Sequence, residues 1–360
     1  MEFGLSDDQR MFQDSIKGYL DSAAPLDTVR EIADGDRAKG QSIAGGLAEL
    51  GLDQVLIPER HGGLGLGLLD AVLIQEALGA EVAPAGFLST AMAIAGIESA
   101  GTDAEQSEWL SKVGSGDVRF GIAISEHIGA REGAGVTAAD GALTGKALFA
   151  MDTQDATHVL VAATDGRLHI AAMTDGVERI PHAIIDRTRD LAELKFSSVK
   201  AVALTGENDP GLAADRMVQT GRLLMAADSL GAAQTMLDKA VEYAKERKQF
   251  NRVIGSFQSV KHLCAEMAAH LEPARALVWH AAHAVDENMD EAAVMVCLAK
   301  SHLAEIGTFI ARTSTEVHGG MGFTDLVGLH YWFKRIGANR QLLGSPERVR
   351  EDAARLQGWA

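Results

Sequence analysis

The spacing of apolar residues divides the chain into three stretches of different texture. In residues 6–116 the spacing is helical. Met11, Ile16 and Leu20 recur at intervals of five and four behind Ser6-Asp7-Asp8-Gln9. That tetrapeptide is the signature of a capping box, in which Ser and Gln answer each other's backbone N–H groups at a helix start. Residues 68–79 form a second helix, with Gly79 as its expected stop. In residues 117–205 short β-type runs take over, at 119–125, 141–149, 158–163, 168–173 and 193–202. Turn residues separate them, and Asp165-Gly166 is a strong hairpin signal. In residues 209–355 long helical patterns return. Leu223, Leu230, Leu237 and Val241 mark one buried face of a helix over 211–247. Further helices are expected over 260–285, interrupted or kinked at Pro273, over 290–315, and after Gly328.

The expected fold is mainly α with a central β domain. Residues 1–116 make an N-terminal helical domain, residues 117–205 a small β-barrel or sandwich, and residues 206–360 a C-terminal four-helix bundle. No internal repeat interrupts this order.

Composition narrows the function classes. Hydrophobic residues make up 47% of the 360, which excludes a disordered chain. Mean hydropathy is +0.02, and no uninterrupted apolar run approaches membrane-span length, so no membrane span is expected. The net charge of −17 argues against a nucleic-acid partner, which calls for a basic face. Local Arg side chains and backbone N–H groups are still able to hold an anion. The two cysteines, Cys264 and Cys297, lie in apolar helical patterns and are expected as buried free thiols. With the acidic N-terminus, which lacks the apolar core of a signal peptide, they suit a cytoplasmic protein.

Few segments carry chemistry. Gly62-Gly63-Leu64-Gly65-Leu66-Gly67 superficially matches a dinucleotide fingerprint, but no parallel βαβ unit surrounds it, so it is read as a helix–helix loop. The twelve histidines show no metal-ligand spacing, and no metal is expected. Arg247-Lys248-Gln249-Phe250, followed by Phe257-Gln258, could simply end a charged helix. Arg247 could equally grip a phosphate in a bidentate pair, beside the flat rings of Phe250 and Phe257. Glu316-Val317-His318-Gly319-Gly320-Met321-Gly322 holds more glycines than a helix C-cap needs, and consecutive glycines let a backbone approach a ligand closely.

At these two segments the sequence resembles the acyl-CoA dehydrogenase family. The first is similar to its Arg-x-x-Phe stretch with trailing Phe-Gln, the second to its Gln-x-x-Gly-Gly-x-Gly stretch. Pro58-Glu59-x-x-Gly62-Gly63 with Glu76-x-x-Gly79 is similar to its N-terminal pattern, and the α–β–α order matches along the whole chain. The resemblance implies an oxidoreductase that uses FAD to convert an acyl-CoA thioester to its α,β-enoyl form. A carboxylate base takes the α-proton while the β-hydride goes to the flavin. It further implies that FAD lies across two subunits. The neighbour's diphosphate and adenosine side would be held by Arg247, Gln249, Phe250, Phe257, Gln258, Glu316, Gly319 and Gly320.

The departures from the family pattern are concentrated on the other half-site. Where the family carries its base in Tyr-Glu-Gly-Thr, this chain reads Leu342-Leu343-Gly344-Ser345, so Leu343 takes the base position and no catalytic residue is identified. The alternative base position, on the helix before Arg-x-x-Phe, falls near Gly221-Arg222. The flavin-side stretches read Ser125-Glu126-His127-Ile128-Gly129 and Leu148-Phe149-Ala150. This asymmetry resembles the base-lacking subunits of α2β2 acyl-CoA dehydrogenases of sterol side-chain degradation. Asp186-Arg187-Thr188-Arg189-Asp190-Leu191 and Leu343-Gly344-Ser345-Pro346 are similar to the same subgroup. The resemblance thus implies FAD, an acyl-CoA substrate and a second, base-carrying subunit in a heterotetramer. Two other expectations stand beside it: a stand-alone flavoenzyme with a relocated base, Glu126 being its candidate, and a non-catalytic structural or CoA-binding subunit.

Overall fold

The computed structural model describes residues 4–359, with the backbone alone at Pro210. Met1, Glu2 and Phe3 of the acidic N-terminal stretch lie outside the described residues. The chain opens with α1 (Asp7–Ala23), α2 (Leu26–Ala33), α3 (Arg37–Glu49), α4 (Leu68–Ala80), α5 (Phe87–Ala100) and α6 (Asp103–Gly114). The middle holds β1 (Phe120–Ala123), the one-turn α7 (Ser125–Ile128), β2 (Gly135–Ala139), β3 (Ala142–Met151), β4 (His158–Ala162), β5 (Leu168–Ala172), β6 (Val177–Pro181) and β7 (Leu191–Ala203). Then come α8 (Pro210–Glu246), the short strands β8 (Lys248–Gln249) and β9 (Arg252–Val253), α9 (Gln258–Asp286), α10 (Ala292–His318), α11 (Leu329–Gln341) and α12 (Pro346–Leu356). The mainly α architecture with a central β region is therefore present in the expected order.

Grouped by contact, the chain forms two compact units. One comprises residues 1–43, 68–84 and 222–360, the other residues 44–67 and 85–221.

In the first unit the capping box at α1 is formed: Gln9 N donates to Ser6 Oγ at 3.1 Å, and Ser6 N to Gln9 Oε1 at 3.1 Å. Helices α4 and α8 touch backbone to backbone. A Cβ on Gly79 would lie 2.1 Å from the Asp228 carbonyl oxygen, and one on Gly231 would lie 1.9 Å from that of Glu76. Gly79 therefore does not stop α4, which continues to Ala80. Its missing side chain lets α8 approach. A buried polar knot fixes the same contact. Asp228, fully buried, accepts from Arg335 (3.1 Å), Gln75 (2.7 Å) and Asn339 (2.7 Å). Arg335, 1% exposed, also donates to the Val82 carbonyl at 3.0 Å. Helix α9 runs through Pro273 without interruption. Cys297 is buried as expected, whereas Cys264 is only half-buried; both are free thiols. By length and hydropathy alone α10 could span a membrane, but half of its apolar window is buried inside the protein.

In the second unit five strands close into a ring: β3 pairs β1, β1 pairs β4 in parallel, and β4–β5, β5–β7 and β7–β3 are antiparallel. This is the barrel alternative of the expected barrel or sandwich. Strands β2 and β6 flank it on β3 and β7. Val159, Val161, Leu143, Leu194 and Phe196 fill the interior. Asp165 builds the β4–β5 turn by accepting from Arg167 N at 3.0 Å, with Gly166 at φ +81°. Ile57 explains part of the glycine loop, since its carbonyl oxygen lies 2.0 Å from where a Gly63 Cβ would stand. Among the described residues no strand precedes this loop; 3-10 turns do, which fits a packing role rather than a dinucleotide fingerprint.

Candidate functional site

The Arg247 segment is not a simple helix end. Arg247 N still donates to the Tyr243 carbonyl at 2.8 Å, and the chain then turns into a two-stranded hairpin. Lys248 pairs with Val253 and Gln249 with Arg252. Phe250 and Asn251 make the turn at φ +51° and +60°, the positive values a two-residue I′ hairpin requires. Asn tolerates that conformation; Phe is strained in it and is held 87% exposed at the tip. Its ring meets Phe257 edge-on, with centroids 6.1 Å apart. Gln258 starts α9, its Nε2 2.9 Å from His262 Nε2.

The glycine segment sits beside it. His318, the last residue of α10, stacks on Tyr243 at 4.5 Å, and Tyr243 lies one turn before Arg247. His318 is buried and bonds the Ser314 carbonyl through Nδ1 at 2.8 Å; burial lowers its pKa, so it is neutral at pH 7. The three glycines behind it have three different uses. Gly319, at φ +57° and ψ −138°, adopts a backbone open to glycine alone. Gly320 has no heavy atom within 4 Å of a notional Cβ, so its backbone is open to a ligand. Gly322 is buried and packs against the Thr315 carbonyl, 2.7 Å from its notional Cβ. Glu316 is exposed and its carbonyl accepts from Gly319 N. All eight candidate residues thus belong to one unit, and the Tyr243–His318 stack links the ends of the two helices that present them.

The site has the donor chemistry of an anion cradle. Arg247 has no carboxylate within 4 Å among the described residues, although other guanidiniums of this unit are answered: Arg335 by Asp228, Arg275 by Glu76, Arg222 by Asp352. An uncommitted guanidinium beside glycine backbone and flat apolar rings fits a dinucleotide's diphosphate and adenine.

Leu343 and Arg222, far apart in sequence, meet in space. Leu343 is 7% exposed and sits at φ +58°, and its carbonyl accepts from Arg222 Nε at 2.9 Å. Arg222 also donates to Asp352 at 2.7 Å and points Nη1 at Cys297 Sγ, 3.6 Å away. The neighbouring carboxylate, Asp352, is committed to three guanidiniums: Arg222, Arg348 at 3.1 Å and Arg355 at 3.6 Å. The sequence motifs point to Leu343 and Arg222 separately, and their contact carries no sequence signal.

In the second unit, 125–128 is a helical turn rather than the end of a strand. The Glu126 carboxylate accepts from Leu148 N at 2.9 Å and from Ser125 Oγ at 2.8 Å. Phe149 lies with its ring 5.3 Å from His182 and 5.0 Å from the Arg131 guanidinium, and His182 Nε2 donates to the Leu148 carbonyl at 2.6 Å. The side chains around 148–149 are thus occupied with one another. Among the described residues no three His, Cys, Asp or Glu side chains gather as metal ligands would.

Comparisons with known proteins agree with this layout. Residues 6–117 match the N-terminal domain of acyl-CoA dehydrogenases and residues 212–357 their C-terminal domain. The chain is 30% identical over 345 residues, 95% of both chains, to acyl-CoA dehydrogenase IpdE2 of Mycobacterium tuberculosis. Among solved structures it is similar to the Tcur3481–Tcur3483 steroid acyl-CoA dehydrogenase (26% identity, TM-score 0.86, 98% of both chains). It also shares the fold of the ChsE4–ChsE5 complex of Mycobacterium tuberculosis (24% identity, TM-score 0.87, 100% of both chains). The two matched domains and the near full-length relative together establish that this chain belongs to the acyl-CoA dehydrogenase family.

Proposed function

We propose that this chain is the non-base subunit of a heteromeric, FAD-dependent acyl-CoA dehydrogenase acting on a bulky, sterol-derived acyl-CoA. In this reading a partner subunit carries the carboxylate base and holds the flavin ring. This chain closes the partner's FAD site with Arg247, Gln249, Phe250, Phe257, Gln258, Glu316, Gly319 and Gly320. FAD, when bound, supplies the hydride acceptor. Arg247 would neutralise diphosphate charge, Gly319 and Gly320 would bring backbone N–H groups within reach of it, and Phe250 and Phe257 would exclude water from the adenosine side. The steroid substrate class is supported by the steroid enzyme among the structural relatives. A cytoplasmic site of action and the three-domain division at 116/117 and 205/206 belong to the same reading.

The observation that carries it is the contrast between two places in one chain. At the cradle an uncommitted guanidinium and an open glycine backbone face outward. At the base position stands a buried aliphatic side chain, Leu343, whose backbone carbonyl is held by Arg222. A stand-alone enzyme using Glu126 fits less well, because that carboxylate already caps Leu148 N and the Ser125 hydroxyl.

Co-expression with an acyl-CoA dehydrogenase-like partner tests the proposal. The complex is expected to contain the two chains in equal number and about one FAD per pair, and the chain purified alone is expected to hold little FAD. Glu126→Gln should leave the activity of the complex intact. A homo-oligomer of this chain with stoichiometric FAD and full activity would overturn the proposal.

A further inference from the structure

We infer that Arg252 is a second guanidinium for the diphosphate of the dinucleotide held at the Arg247 cradle. The inference rests on the subunit reading above and deepens it by a residue that the sequence motifs leave out. Gln249 and Arg252 are directly paired across β8–β9, and Ile254 N donates to the Arg247 carbonyl at 2.7 Å, extending the pairing by one step. Directly paired residues share a face of a ladder, and so do residues two apart on one strand. Arg247, Gln249 and Arg252 therefore rise from the same face.

The side chain of Arg252 is also preorganised. Its guanidinium carbon lies 3.9 Å from the centroid of Phe257, which itself meets Phe250 edge-on. Stacking on an aromatic face leaves the N–H edge of a guanidinium free for a planar, bidentate contact. Among the described residues no carboxylate lies within 4 Å of it, whereas Arg340 in the same unit is engaged by Glu305 at 3.0 Å. Two permanently charged groups on one face of an exposed hairpin repel each other unless an anion lies between them, and a diphosphate has the charge and the length to serve both.

Arg247→Ala, Arg252→Ala and Arg252→Lys are compared in the co-expressed complex. FAD affinity is read by flavin-fluorescence titration of the stripped complex at low and high salt, alongside the KM for the acyl-CoA. Arg252→Ala should weaken FAD binding by about tenfold, which corresponds to about 1.4 kcal/mol. It should also flatten the salt dependence and leave the KM unchanged. Lysine should recover only part of the affinity, because an ammonium has neither the planar fork nor the stacking surface. The exposed position keeps the thermal midpoint as a check on folding. Wild-type FAD affinity in Arg252→Ala, with Arg247→Ala losing FAD, overturns the inference and leaves the subunit reading standing. A loss that falls on the acyl-CoA KM with FAD affinity unchanged also overturns it, since the diphosphate served would then be that of CoA. If Arg247→Ala also keeps its FAD, the subunit reading falls and the inference with it.

Discussion

Lys300 offers a quantitative test of the bundle's electrostatics. It is 2% exposed on α10, and its Nζ donates to the Asn339 carbonyl in the last turn of α11 at 2.6 Å. Among the described residues no carboxylate pairs with it. Burial, aided by the Arg222 and Arg340 guanidiniums, lowers its pKa to about 7. The unfolded chain binds that proton with an ordinary lysine affinity, near pH 10.4. Between about pH 7 and pH 10 the unfolded state therefore holds more protons than the folded state, and stability rises with pH. The slope is ~1.4 kcal/mol per pH unit, so the gain from pH 7.5 to 9.5 is about 2–3 kcal/mol. Below pH 7 both states are protonated and the contribution is a constant penalty. Cys297 acts in the opposite sense. Burial raises its thiol, so the unfolded state loses that proton first and stability falls with pH above about 8.5. Comparing wild type with Lys300→Met removes this term, since both keep Cys297. The variant also strands the Asn339 carbonyl, an offset that does not vary with pH. Urea unfolding at steps of pH from 7 to 9.5 should show the wild type gaining on the variant by the amount given. Parallel stability–pH curves would refute a lysine that is neutral in the folded bundle.

Other outcomes follow from the α4–α8 contact. Asp228→Ala strands the buried Arg335 guanidinium and should cost about 3–5 kcal/mol in urea unfolding. The double change Asp228→Ala with Arg335→Met should cost less than the sum of the single changes. Gly231→Ala gains about 1 kcal/mol of helix propensity but drives a Cβ into the Glu76 carbonyl, so a net fall in thermal midpoint is expected. Gly320→Ala meets no atom and should leave the midpoint unchanged; a fall as large as that of Gly231→Ala would contradict an open position at Gly320.

Much of the fold was legible because the helices are long and their apolar spacing repeats over many turns. The start of α1 was legible from four residues, since a capping box needs nothing beyond its own turn. Strands β2 and β6 were not legible. Gly135–Ala139 offers only Val136 as a buried side chain, and Val177–Pro181 flanks the ring with no fully buried residue, so neither shows alternation. The β8–β9 hairpin was hidden for a different reason: its turn is Phe-Asn, without the glycine that usually marks positive φ. Gly79 was misread because a glycine near a helix end looks alike whether it caps the helix or admits a neighbour, and only the partner helix decides. The same limit hid the meeting of Leu343 with Arg222, 121 residues apart, and the engagement of Glu126 by Leu148 N.

The acidic balance of the chain and the proposed anion cradle are compatible because charge acts locally. Screening in physiological salt reduces interactions between exposed charges beyond about 8 Å, so most of the −17 is weakly felt at the hairpin. What matters there is the commitment of each nearby guanidinium. Arg222, Arg275 and Arg335 are tied to buried or half-buried carboxylates and hold the bundle together. Arg247 and Arg252 lie on an exposed ladder with no carboxylate partner among the described residues, and Arg252 is held in place by an aromatic ring instead. Pairing a guanidinium with a carboxylate fixes its geometry but uses up its charge; stacking it on Phe257 fixes it while leaving the charge available. An acidic protein can bind a phosphate-rich ligand through that second arrangement, and its net charge gives no sign of it.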